Sequence, residues 1–206
     1  MRVAIVGGTG AFGRPLTERL AALGHDVVIG SRDAKRAHEL ATVFGVQGKS
    51  NEDAVSGADL VVLAVPSSAA IETVRTLAPI LGATPLLCVA SDLRFTRKGV
   101  EPGRDARSLA EEIAELVEAP VASGLQSLSA GNIAARRPPD EDVFVCGDDD
   151  AAKNPALELG SQLVAGRAID AGPLANSRGL EAMTSVLLNV NRRYKTHAGL
   201  RVTGLP

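Results

Sequence analysis

Short, continuously apolar runs alternate along this chain with longer stretches in which apolar residues recur at every third or fourth position. Arg2–Gly7, His25–Gly30, Asp59–Pro66 and Pro85–Ser91 are of the first kind and read as strands buried on both faces. Ala11–Leu23 is of the second: Leu16, Leu20 and Leu23 share a helical face, and Gly24 ends it. Asp33–Phe44 and Ser67–Leu81 read as further helices, and Asn51–Ala58 as a short one capped by Asn51. Leu93–Asp105, rich in Arg, Lys, Gly and Pro, reads as a loop. The alternation then resumes. Ala106–Val117 places Leu109, Ile113 and Leu116 on one helical face. Ala119–Leu125 and Glu141–Gly147 read as strands joined by a loop containing AARRPPDED, and Asp149–Leu163 reads as a helix. Gly166–Leu174 supplies a last strand and turn. Asn176–Tyr194 is a long terminal helix expected to bury Leu180, Met183, Leu187 and Leu188. Doubly apolar strands alternating with helices specify a parallel sheet covered on both sides. The expected fold class is α/β: a Rossmann-type, doubly wound, mostly parallel sheet with a small C-terminal α/β elaboration, in one domain spanning 1–206.

The first strand and helix are joined by Gly8-Thr9-Gly10-Ala11-Phe12-Gly13, a G-x-G-x-x-G. The pattern alone is weak. Here it follows a strand, opens a helix and lies in a strand–helix–strand unit of about 30 residues, the setting of a dinucleotide site. In such a site Gly8 allows the tight turn, Gly10 lets backbone approach a pyrophosphate, and Gly13 lets the helix pack close to the strand. The helix N-terminus adds unpaired N–H groups for the phosphates. At the tip of the second strand, where NAD sites usually carry an acid, the chain reads Gly30-Ser31-Arg32. An acid would repel a 2′-phosphate; a hydroxyl and a guanidinium bind one. Lys35 and Arg36, one helical turn on, add positive charge. The expected dinucleotide is NADP.

Composition narrows the partners. A net charge of -2, with four Phe, one Tyr and no Trp, gives neither the basic footprint nor the stacking platform of a nucleic-acid binder. No apolar run reaches the roughly 18 residues of a membrane span. The opening MRVAIVGG is too short for a signal peptide, so a cytoplasmic protein is expected. Cys88 and Cys146 lie far apart in apolar runs and read as buried free thiols. The acidic run in Cys146–Asp150 reads as helix capping, so no metal site is expected.

Chemistry is conspicuous by what is missing. Short-chain dehydrogenases use a Tyr and a Lys four residues apart; the only tyrosine, Tyr194, is followed directly by Lys195, with Ala198 four positions on. His25, His38 and His197 read as surface or capping residues. No catalytic acid or base is assigned. A nucleotide site without acid–base apparatus fits hydride transfer between two bound cofactors, which needs orientation and desolvation rather than a titrating side chain.

The stretches MRVAIVGGTGAFG, LGHDVVIGSR, NEDA, LAVP, VCGDDD, DAGPLANSR and LLNVNRRYKTHAG carry a resemblance to the NADPH-dependent F420 reductases. The resemblance implies hydride exchange between NADP and coenzyme F420, with residues 120–206 completing the deazaflavin pocket. Position by position, it implies that Thr9, Gly10, Ala11 and Phe12 contact the NADP phosphates and that Ser31, Arg32 and Arg36 hold the 2′-phosphate. Val65 would lie near the nicotinamide half, Ala130 would touch its amide, and Ala198 would border the deazaflavin. Family members often have a His where this chain has Gln126, and some an aromatic residue where it has Ser67 and Ser68. Coenzyme F420 also carries a phosphate and a polyglutamate tail, for which Arg94, Arg97 and Lys98, and Arg192, Arg193 and Lys195, are candidates. A homodimer is expected from the apolar terminal helix. Two other readings share the NADP site: a non-catalytic NADP sensor, and an NADP-dependent imine or ketone reductase completed by a dimer partner.

Overall fold

In the computed structural model, which describes residues 1–104 and 106–205, the expected alternation is realised. The order is β1 (Arg2–Val6), α1 (Gly13–Ala22), β2 (Asp26–Ser31), α2 (Ala34–Phe44), β3 (Gln47–Ser50), α3 (Asn51–Val55), β4 (Leu60–Leu63), α4 (Ser67–Leu81) and β5 (Leu86–Cys88). Next come β6 (Leu93–Thr96), β7 (Gly99–Pro102), α5 (Leu109–Ala114), β8 (Val121–Gly124), α6 (Ala130–Ile133) and β9 (Val143–Gly147). The chain closes with α7 (Asp150–Leu163), β10 (Ala168–Asp170), a 3-10 turn (Leu174–Asn176) and α8 (Ser177–Tyr194).

Eight strands form one sheet in the order β10-β9-β8-β5-β4-β1-β2-β3. Every neighbouring pair is parallel except β8 and β9. The period of two along β1 explains why both faces are covered. Val3 and Ile5 join Leu16 and Leu20 of α1 and Leu159 of α7 on one side. Ala4 and Val6 join Val74 and Leu77 of α4 and Ile113 of α5 on the other.

The structure departs from the sequence reading in places where polar residues do structural work. Gln47–Ser50 is a strand although it carries no apolar residue; it pairs with β2 at the sheet edge. The cap of α3 is Ser50, which accepts from the Asp53 amide at 3.0 Å; Asn51 lies inside the helix. Most of Leu93–Asp105 is not a loop but an antiparallel hairpin, β6–β7; Asp105 itself lies outside the described residues. The helix expected over Ala106–Val117 is the shorter α5, because Ser108 and Glu111 form a capping box that fixes its start. On α8 only Leu187 of the four expected leucine and methionine positions is buried; Leu180 and Leu188 are half-buried and Met183 is exposed. The face that α8 turns inward carries Ser177, Glu181 and Ser185 instead, because it packs on the polar start of α5. There the Glu181 carboxylate accepts from the Leu109 amide at 2.8 Å, and the Ser177 and Ser108 hydroxyls pair at 2.5 Å.

Candidate functional site

The β1–α1 turn is built for close approach. Its left-handed residue is Gly7 (φ 83), one position before Gly8, to which the sequence pattern assigned the tight turn. A Cβ on Gly13 would stand 2.5 Å from the Gly7 carbonyl oxygen and 2.7 Å from the Gly8 Cα, so only glycine lets α1 start this close to β1. Gly10 and Ala11 are exposed on the outside of the turn, where the first turn of α1 leaves amides without intrahelical acceptors.

At the end of β2, Ser31 is buried and its hydroxyl lies 3.5 Å from that of Thr9. The Ser31 oxygen accepts from the Asp33 amide at 3.2 Å, so the hydroxyl proton is directed elsewhere. Arg32 and Arg36 are exposed. Among the described residues neither has a carboxylate partner. Asp33, where the sequence opens the helix Asp33–Phe44, places an acid near this point. Its carboxylate is engaged as the cap of α2, accepting from the Arg36 amide at 3.1 Å.

A cleft of about 290 Å³ opens at the carboxyl ends of the parallel strands. It lies where the strand order reverses between β1 and β4, the place where open α/β sheets bind ligands. Phe12, Val65, Ala130 and Ala198 all line it, so four of the site residues expected from the sequence meet there. The others, Gly8 to Ala11, Gly13, Ser31, Arg32 and Arg36, do not line it and sit along the β1–α1 turn, at the end of β2 and, for Arg36, on the first turn of α2. The cleft also takes residues to which the sequence assigned no contact. Val89, Ala90 and Ser91 follow β5, and Leu125 to Ser129 follow β8. Thr184, Leu188 and Asn191 come from α8; their spacing of four and three, and for the last two their place in LLNVNRRYKTHAG, were the available signals.

The wall after β8 is strained and polar. Leu125 has a left-handed backbone (φ 69), which costs a residue with a Cβ about 1–2 kcal/mol. The turn it starts projects Gln126 and Ser127 toward the cleft. The Gln126 amide nitrogen donates to the Ser123 hydroxyl at 2.7 Å and to the Cys88 carbonyl at 3.2 Å. The Gln126 side-chain oxygen and the Ser127 hydroxyl are buried with no hydrogen-bond partner among the described residues. Thr184 donates to the Gln126 carbonyl at 3.1 Å and pairs with the Ser91 hydroxyl at 3.0 Å.

The far wall is a folded-back C-terminus. The Ala198 amide donates to the Asn191 side-chain oxygen at 2.6 Å. The fully buried Asp142 carboxylate accepts from the Val202 amide at 2.8 Å and from the Arg167 guanidinium at 2.9 Å. Those donors hold the Asp142 carboxyl well below the usual range.

Among the described residues no ionisable side chain lines the cleft. Cys88 ends β5 beside it, but burial pushes its thiol up to about 12, and that of Cys146 likewise. Both remain neutral free thiols. Glu181, which burial pushes up to about 7 against the opposing pull of three backbone amides, faces α5 rather than the cleft. Among the described residues no cluster of His, Cys, Asp and Glu could hold a metal, and no helix is long and apolar enough to cross a membrane.

Residues 2–87 match the family model described as NADP oxidoreductase, coenzyme F420-dependent. The F420-dependent NADP reductase of Methanothermobacter thermautotrophicus is 34% identical, the alignment covering 100% of this chain and 96% of that protein. The protein of the same name from Methanocaldococcus jannaschii is 33% identical over 100% and 99%. Among solved structures, one from Arthrobacter sp. FB24 described as an F420-dependent NADP reductase superposes with a TM-score of 0.87, 28% identity and coverage of 98% and 99%. A Streptomyces aurantiacus imine reductase, with a TM-score of 0.66 and 20% identity, covers 95% of this chain and 62% of its own; it shares the fold alone. Similarity at this level over the whole length, joined to the glycine turn and the apolar cleft, places this chain in the F420-dependent NADP reductase family.

Proposed function

We infer that the protein is an oxidoreductase that passes a hydride between NADP(H) and coenzyme F420. The observation that carries this reading is the cleft at the strand-order reversal, with no ionisable side chain among the described residues of its lining. A substrate needing proton transfer would require a titrating group there. Hydride exchange between two flat rings requires only that they be held face to face away from water.

The residues present fit both groups. The exposed turn at Thr9 to Phe12 holds the diphosphate. The Ser31 hydroxyl and the Arg32 and Arg36 guanidiniums hold the 2′-phosphate. Phe12, Val65 and Ala130 lie beside the nicotinamide, and Ala198 borders the deazaflavin, whose pocket residues 120–206 complete. The unpartnered Gln126 oxygen and Ser127 hydroxyl are buried polar atoms that need a partner, which an amide or pyrimidine edge supplies. When bound, the nicotinamide and deazaflavin rings supply the hydride donor and acceptor. The chain orients them, with small side chains at Ala90, Ala130 and Ala198 leaving room.

Two copies pair in this reading. Met183 and Val186, 38% and 54% exposed on α8, support it as an apolar surface to be covered. The buried free thiols accord with a reducing cytoplasm.

The test is spectrophotometric. NADPH and the oxidised deazaflavin, mixed with the protein, should both lose their characteristic absorbance, and NADH should substitute poorly. Tight NADPH binding without turnover would favour the sensor reading, and the absence of both would overturn the assignment.

A further inference from the structure

A depression of about 510 Å³ is lined by Arg97, Lys98, Gly99, Asn189, Arg192 and Arg193, from two elements that also contribute to the cleft. Its four cations come from two elements that the fold clamps together. Asn189 of α8 accepts from the Val100 amide at 3.0 Å and donates to the Val100 carbonyl at 2.7 Å. It thus mimics one more strand along β7 and holds the tip of the β6–β7 hairpin against the last turns of α8. Among the described residues none of the four cations has a carboxylate partner. Two other basic residues of the same segments are excluded. Arg94 is tied to Glu101 through two nitrogens, at 3.2 and 2.9 Å. Lys195 is the left-handed cap of α8 and does not line the depression.

Favourable interaction with the negative end of the helix accounts for Arg192 and Arg193. It does not account for Arg97 and Lys98, which a hairpin brings to the same place. Both elements also run from one site to the other. On α8, Leu188 and Asn191 line the cleft while Asn189, Arg192 and Arg193 line the depression. On the hairpin, Leu93 lines the cleft and the tip lines the depression.

We propose that these four cations form a seat for the polyanionic tail of the deazaflavin, its phosphodiester and glutamate carboxylates, and that the seat gives the tailed cofactor its affinity. The proposal rests on the hydride-transfer reading, which places the ring in the cleft that the same helix and hairpin help to line. Four unpaired guanidinium and ammonium groups on two walls suit a flexible chain with several negative charges, since each charge can find a donor without a fixed geometry.

The experiment compares intact coenzyme F420 with the same ring and ribityl chain lacking phosphate and glutamates. Dissociation constants come from deazaflavin fluorescence, and KM values from NADPH oxidation. The wild type should bind the tailed form more tightly by about tenfold or more, an advantage that shrinks between low and high salt. Arg192→Ala/Arg193→Ala should remove most of that advantage. Arg97→Ala/Lys98→Ala, on the opposite wall, should do the same. Arg94→Ala, on the same hairpin but paired with Glu101, should leave it intact. Equal binding of both forms by the wild type overturns the proposal, as does a tail advantage that survives either double substitution. Turnover of the tail-less ring tests the hydride-transfer reading separately. If that ring is reduced while the tail confers nothing, the seat fails and the function stands. If neither form is reduced, the function fails whatever the dissociation constants show.

Discussion

Replacing Arg32 by alanine isolates the charge at the end of β2. The side chain is exposed and, among the described residues, has no carboxylate to lose, so the substitution leaves the folded protein's own contacts nearly unchanged. Its effect should fall on the 2′-phosphate. A hydrogen bond to a charged group contributes about 1.5–3 kcal/mol, and solvent exposure brings this down to about 1–2 kcal/mol. That converts to a rise in the NADPH KM of about 5- to 30-fold. The adjacent Ser31 differs because it is buried and its oxygen already accepts from Asp33. Ser31→Ala loses one neutral bond to phosphate, worth about 0.5–1.5 kcal/mol, together with a little stability from the orphaned Asp33 amide. The two substitutions share one ligand group and will not add. Steady-state kinetics with NADPH and NADH, at saturating deazaflavin, measure the effect. The NADPH KM should rise while that for NADH stays within about twofold, so the preference collapses. An equal rise for both dinucleotides would mean that Arg32 acts on something other than the 2′-phosphate. No change in either would place that phosphate elsewhere, and the NADP assignment drawn from Gly30-Ser31-Arg32 would fall.

Gly13→Ala inserts a methyl group 2.5 Å from one backbone atom and 2.7 Å from another. Helix α1 must therefore move off β1, at about 1–3 kcal/mol, with the KM values for NADPH and NADH rising together and the melting temperature falling. Glu181 has its folded-state pKa raised from 4.5 to about 7 by burial. The folded state then holds more protons than the unfolded state between those values, and stability falls as pH rises through that window, by up to about 3 kcal/mol. Glu181→Gln should flatten that part of the profile in urea titrations; an unchanged slope would show that the carboxyl titrates normally. Asp142 has the opposite sign: its folded pKa is depressed, so its stabilisation is present above about pH 4 and lost as pH falls through the lower folded value. Asp142→Ala should cost about 3 kcal/mol at neutral pH. By loosening the segment that carries Ala198, it should also raise the deazaflavin KM more than that of NADPH.

The amino-acid sequence by itself determined the α/β class, the order of the principal strands and helices, and the dinucleotide turn. Those features rest on local rules. Doubly apolar runs such as Arg2–Gly7 admit few alternatives, and the glycines of the β1–α1 turn are needed by backbone geometry that any neighbourhood would impose. It did not reveal the strand Gln47–Ser50 or the hairpin within Leu93–Asp105, because a polar edge strand or an exposed hairpin carries little burial signal. The inward face of α8 was misread for a related reason: Glu181 and Ser177 are buried because they satisfy amides and hydroxyls at the start of α5, partners about 70 positions away. Only the tertiary structure joined Phe12, Val65, Ala130 and Ala198 into one cleft, and brought Arg97 and Lys98 to Arg192 and Arg193. Each is a long-range juxtaposition set by sheet order and by single side-chain bonds such as those of Asn189, and no periodicity along the chain encodes which distant residues will meet.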